Sequence, residues 1–178
     1  MNRPFYCIFL ITILSLLPAV SKAERTTTTH NFNSMTTPPA TIEYSDGYKV
    51  GKTALLTYTC SGTGAQFGAV GSEFKVCLQL PQNGSTVTTT RVEELAAFQI
   101  HLATSGDYTS LKVKVSTDSI AWSNALSGDS IRYSSTGIEV SIPRNHYFVK
   151  IYNTKKADAN IATINWYQDH CNCFTYEP

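Results

Sequence analysis

Through most of this chain, apolar side chains return at every second position. In LKVKVS, residues 111–116, Leu111, Val113 and Val115 fall on one side, and Lys112, Lys114 and Ser116 on the other. Side chains of a strand point alternately to opposite faces, whereas a helix needs a return every 3.6 residues. A period of two with one apolar side therefore demands a sheet that has one face on a core and one in water.

The same spacing appears in TIEY (41–44), ALLTYTC (54–60), SEFKVCLQL (72–80), STVTTTRV (85–92) and AAFQIHLA (96–103). It continues in YTSLKVKVS (108–116), DSIRY (129–133), GIEVSIP (137–143), HYFVKIYN (146–153) and NIATINWYQ (160–168). Clusters of Gly, Asn, Asp, Ser and Pro separate the runs, SDGY, SGTGAQFGAVG and PRN among them, and mark turns. Only RVEELAAFQIHLA invites a helical reading, yet Ala97, Gln99 and His101 alternate there with Phe98, Ile100 and Leu102. About ten short strands and no convincing helix predict an all-β protein, a single β-sandwich of jelly-roll type. Trp122 follows the inward set of 111–115 after a polar turn, and is expected to plug the core.

The first 23 residues have the anatomy of a secretory leader: Arg3, an apolar run from Phe5 to Leu17, then the small residues Ser21 and Ala23 before a cleavage site. That run is shorter than the roughly 20 residues a spanning helix needs, and no later segment approaches it, so no membrane span is expected. The protein should be exported, to a periplasm, a cell surface or the medium. Residues 24–39 are rich in Thr and close on a Pro pair, predicting a flexible lead-in, and residues 40–178 form the predicted domain. Without the leader the chain loses Arg3 and Lys22, leaving twelve basic against thirteen acidic side chains and a formal charge of −1. That balance gives no reason to expect nucleic acid as a partner.

Four cysteines remain, and export makes disulfide bonding their default role. Cys60 and Cys77 stand on strands expected to be neighbours, which makes them the expected pair; closing a loop of that size contributes about 3 kcal/mol in the chain-entropy model. Cys171 and Cys173, in DHCNC, lack the spacing of common zinc sites.

The strand-turn-Trp combination VKVSTDSIAWS, followed by GIEVSIP and HYFVKIYNTKKADANIATINWY, resembles the galactose-binding-like jelly roll, and within it the discoidin-type modules. With IEYSDGY and the terminal CNCF, the chain is also similar to secreted β-sandwich proteins of Bacteroidetes associated with polysaccharide degradation. The resemblance implies a sandwich whose ligand sits on loops at one end, sometimes with one structural calcium. Asp46 and Asp118 are the loop acids that would serve such an ion; no other cofactor is expected.

The acidic residues are scattered, so the paired carboxylates of a glycosidase are missing, and no G-x-S-x-G motif offers a serine nucleophile. Binding chemistry is better supplied, by ten Tyr and two Trp. Rings stack on the apolar face of a pyranose while a few polar groups fix its hydroxyls. The stretch PRNHY brings Arg144, Asn145 and His146 beside a stiffening Pro143, and the Tyr48 and Phe67 stretches are the other candidate ligand loops. The expected function is an exported, non-catalytic module that binds a polysaccharide or oligosaccharide, or otherwise acts at a cell surface. Its rivals are a small lyase-like enzyme for an acidic glycan, with Arg132, Arg144 or Lys150 as base, and a structural or adhesive protein that binds another protein.

Overall fold

The structure, a computed structural model, describes residues 23–34, 41–49, 53–62 and 64–171. The chain separates into two compact units, Arg25–His170 and the pair Met1–Glu24 with Cys171–Pro178, and the first carries the candidate site. The strands are β1 (Ala23–Asn31), β2 (Thr41–Lys49), β3 (Thr53–Ser61), β4 (Gln66–Val70), β5 (Phe74–Gln79), β6 (Thr86–Thr89), β7 (Val92–Leu102), β8 (Leu111–Ser116), β9 (Ile131–Tyr133), β10 (Gly137–Asn153) and β11 (Asn160–Cys171). Among the described residues no helix is long and apolar enough to cross a membrane.

The architecture is the predicted all-β one, antiparallel and compatible with a β-sandwich. One ladder, sheet A, runs β9-β10-β7-β11-β5-β4, with β1 also against β11. The other, sheet B, runs β2-β3-β6-β10-β8. Strand β10 belongs to both. Its first part pairs with β7 and β9, and residues 148–153 pair with β8.

The alternation that marked the strands also selects the core. Leu111, Val113 and Val115 of β8 and Val149 and Ile151 of β10 are buried, as are Phe98 and Ile100 of β7 and Ile164 and Trp166 of β11. Hydrogen-bonding groups inside this core must find partners. Trp166 Nε1–H donates to Tyr58 Oη at 2.7 Å, and Tyr58 Oη lies 2.7 Å from His30 Nδ1. Indole nitrogen can only donate, so Tyr58 accepts there and directs its own proton toward His30. Burial pushes the His30 imidazole down to about 4, which keeps it neutral and able to accept. Phe32 packs edge-on to Tyr58 at 5.1 Å, and Phe98 lies 5.0 Å from Trp166.

The structure corrects several expectations. The lead-in is no linker in its described part: residues 24–31 lie in β1, and His30 and Phe32 are buried. The segment containing Phe67, expected as a turn, forms β4. PRN does not separate two strands but lies within the 17-residue β10, where the register against β7 shifts between Ser141 and Asn145 and again before Tyr147. Pro143 is tolerated because a strand that bends between two sheets leaves the regular ladder there. The second tryptophan is the core plug, not the first: Trp166 is 1% exposed, while Trp122 is only half-buried, with Lys150 Nζ 4.0 Å from its ring centroid. After the turn, the chain returns along the open edge of β8, Ser123 N–H donating to Val115 O and Leu126 N–H to Val113 O, and Trp122 meets a lysine of the outer face.

The expected Cys60–Cys77 bridge is absent, and both thiols are free. Cys60 is on β3 of sheet B and Cys77 on β5 of sheet A, so the supposed strand adjacency does not exist. Cys60 packs against the core, whereas Cys77 alternates with the core residues Val76 and Leu78 and so faces the other way. Burial pushes the two thiols up to about 12 and about 11 respectively, which makes both poor nucleophiles. The Cys171 side chain and Cys173 lie outside the described residues.

Candidate functional site

The outer face of sheet A carries the most developed constellation. Cross-strand register sets Arg132 of β9 opposite Glu139 of β10, Glu139 opposite Gln99 of β7, and Gln99 opposite Asn165 of β11. Thr29 of β1 then donates from Oγ1 to Asn165 Oδ1 at 2.9 Å. Five strands thus contribute one row of polar side chains at right angles to the chain direction. At about 4.8 Å per strand the row extends about 19 Å.

Its members orient one another. Tyr167 Oη–H donates to Gln99 Oε1 at 2.7 Å, and Gln99 Nε2–H donates to Glu139 Oε1 at 3.0 Å. Asn165 Nδ2 lies 3.0 Å from His101 Nε2. In the adjacent register row stand Ser141, Ala97 and Tyr167, and the short side chains of Ser141 and Ala97 leave a depression beside the longer ones. That depression, about 270 Å³, is lined by Arg25, Gln99, Glu139, Ser141 and Tyr167 among others. Gly137 begins the strand that supplies Glu139 and Ser141, and a Cβ there would collide with the Ile100 carbonyl of β7. The close approach of β10 to β7 at this end of the row depends on that glycine.

At the far end, Arg25 donates from Nε and Nη2 to both carboxylate oxygens of Asp169, at 2.7 and 2.9 Å. The guanidinium holds the Asp169 carboxyl below the usual carboxylate range. Arg144 Nη1–H donates to the Asp169 carbonyl at 3.2 Å, and its Nε lies 3.2 Å from Glu94 Oε2. His146 Nε2 is 3.4 Å from Glu94 Oε1, and Glu94 itself sits at φ +51°, a backbone region non-glycine residues seldom occupy. Two of the predicted ligand residues, Arg144 and His146, are therefore brought together around Glu94, at one end of the groove. Asn145 is exposed and accepts the His146 N–H through Oδ1.

The remaining candidates are dispersed. Phe67 is buried with its ring 5.9 Å from that of Phe32, which leaves no face for a ligand. Asp46 and Tyr48 fall within β2, and their side chains lie outside the described residues. Asp118 Oδ1 accepts from the N–H groups of Ile120 and Ala121 and from Ser116 Oγ, at 2.8 to 2.9 Å. Those bonds hold its carboxyl below the ordinary range and make it the organiser of the turn. They also explain why Ser116, expected to face water, is buried. Among the described residues no three His, Cys, Asp or Glu side chains converge as a metal site.

Residues 99, 139, 165 and 167 were not singled out as ligands by sequence reasoning. Each is an isolated polar residue on the outward phase of its strand, and only the register of five strands assembles them. No protein-family model matches the chain, and no curated protein matches it.

Proposed function

We propose that this protein is an exported, non-catalytic glycan-binding module that lays an uncharged oligosaccharide along the outer face of sheet A. The observation that carries the reading is the row Arg132, Glu139, Gln99, Asn165 and Thr29 beside the Tyr167 groove. Amides and a carboxylate offer paired acceptors and donors that match vicinal hydroxyls, and the Tyr167 ring offers an amphipathic edge. Because Gln99 is already bonded to Glu139 and Tyr167, and Asn165 to Thr29, these side chains have little entropy left to lose on binding. The leader-like first 23 residues and the likeness to galactose-binding-like modules support the same reading.

The test is affinity electrophoresis through gels containing neutral polysaccharides: β-glucan, galactan, mannan and xylan. At least one should retard the protein. Gln99→Ala with Glu139→Ala should weaken that retardation at least tenfold, about 1.4 kcal/mol, with an unchanged melting temperature. No retardation by any polymer, or equal retardation of the folded double variant, would end the proposal. Release of new reducing ends from the retarding polymer would replace it with an enzymatic reading.

A further inference from the structure

The outer face of sheet B has a different chemistry. Lys114 of β8 stands opposite Lys150 of β10, Lys150 opposite Thr88 of β6, and Thr88 opposite Thr59 of β3. The next outward row is Lys112, Tyr152, Thr86 and Ser61. Each lysine is held over an aromatic ring: Lys150 over Trp122 at 4.0 Å, Lys112 over Tyr133 at 5.4 Å and Lys114 over Tyr152 at 5.7 Å. None of the three forms an ion pair with a described residue, although Arg25, Arg91 and Arg144 all do.

Three ammonium groups on two adjacent strands repel one another, and an acidic partner nearby would relieve that at little cost. The sequence has thirteen Asp and Glu, yet the carboxylate nearest in the chain to this face, Asp118, is occupied by its own turn. The rings fix the cations without neutralising them, since a cation–π contact is an attraction to a quadrupole and leaves the net charge in place. Beyond the lysines, the rows continue as the hydroxyls of Thr88, Thr59, Thr86 and Ser61. The face therefore offers fixed positive charge and the Trp122 ring at one side, hydroxyl partners at the other, and the Tyr152 ring between.

We propose that this face is a second site, separate from the groove of sheet A, and that it takes an acidic polysaccharide bearing sulfate or carboxylate groups. Charge complementarity selects the anion; the hydroxyl rows and ring edges suit a sugar backbone better than a protein helix or a lipid surface, which would need an apolar patch. The site does not rest on the reading of sheet A.

Dextran sulfate and polygalacturonate are the probes, with dextran as the uncharged control and a single-stranded oligonucleotide as the rival polyanion. By titration calorimetry at about 0.1 M salt, dextran sulfate or polygalacturonate should bind and dextran should not bind at this face. Lys114→Gln with Lys150→Gln should weaken binding at least tenfold, and the dependence on salt should flatten as contacts are lost. Lys155→Gln with Lys156→Gln removes the same charge from the turn after β10 and should change binding less than twofold. Gln99→Ala, on the other sheet, should also leave it unchanged, so failure here is distinguishable from failure of the groove. If the double variant unfolds, the two single variants, each weakening binding at least threefold, carry the test. Absence of binding to both acidic polymers, equal loss in the Lys155/Lys156 control, or tighter binding of the oligonucleotide would overturn the proposal.

Discussion

The two outer faces of this sandwich rest on one core but manage polar side chains in opposite ways. On sheet A every charged or amide group that lines the groove is answered by a neighbour: Tyr167 by Gln99, Gln99 by Glu139, Arg25 by Asp169. On sheet B the lysines have rings beneath them and no counter-charge among the described residues. A self-satisfied network is rigid and selects by hydrogen-bond geometry, whereas unmatched charge selects by sign and over distance. The same alternation of strand side chains produced both, so the difference lies in which residues stand on the outward phase.

Removing what the faces share should have the largest effect. Trp166→Ala empties a fully buried site and should cost about 3 to 5 kcal/mol, read as a lowered denaturation midpoint with both faces impaired together. Trp122→Ala, by contrast, should leave stability within about 1 kcal/mol and damage sheet B alone. Equal loss from the two tryptophans would erase the distinction between core and face.

Acid should separate the faces next. The unfolded His30 imidazole takes up a proton near its ordinary 6.5, the buried one only at about 4. Between those values the unfolded chain binds more protons, so stability present above pH 6.5 is lost as the pH falls toward 4, by at most about 3 kcal/mol. His30 is on β1, which supplies Thr29 and Arg25 to sheet A. Hydrogen exchange between pH 6.5 and 4 should therefore show β1 amides losing protection before those of β8, and His30→Gln should flatten the dependence. Uniform loss across both sheets would show that the strand does not open separately.

A subtler test exchanges the lesions. Gln99→Ala should reduce retention on a neutral glycan about tenfold, 1.4 kcal/mol, and Lys150→Gln should not touch it. Smallest is the effect of Lys150→Met on folding: loss of the cation over Trp122 should change stability by roughly 0.5 to 1 kcal/mol, measured by urea denaturation. A change above about 2 kcal/mol would mean that the lysine is structural and not poised for a ligand.

How far the fold was legible depends on where the hydrophobic period survives. β7, β8 and β11 could be read because Phe98, Leu111 and Ile164 recur with apolar neighbours two positions away. β1 could not, because the side chains that turn inward toward β11 are polar: Thr26 meets His170, and Thr28 meets Gln168. A search for apolar spacing passes over such a strand, although Phe32 just after it was a visible sign of burial. β4 was hidden for another reason, its Gly and Ala residues carrying almost no apolar signal around Phe67. Pro143 was taken for a stop because proline withholds an N–H, and the sheet switch that makes this harmless is a tertiary event. The candidate site was legible only at its margin. Arg144 and His146 announced themselves by sharing a stretch of sequence, while residues 29, 99, 132, 139 and 165 share only a register.

Strand β10 has a mechanical consequence. Glu139 and Ser141 face the groove of sheet A, and Lys150 and Tyr152 face outward from sheet B, on one unbroken stretch of backbone. A pull exerted between polymers held at the two faces would run along covalent bonds through this strand. Its ladders with β7 and β8 lie across that direction and would be loaded in shear, many hydrogen bonds at once, in place of the sequential unzipping that separates sheets pulled apart at an edge.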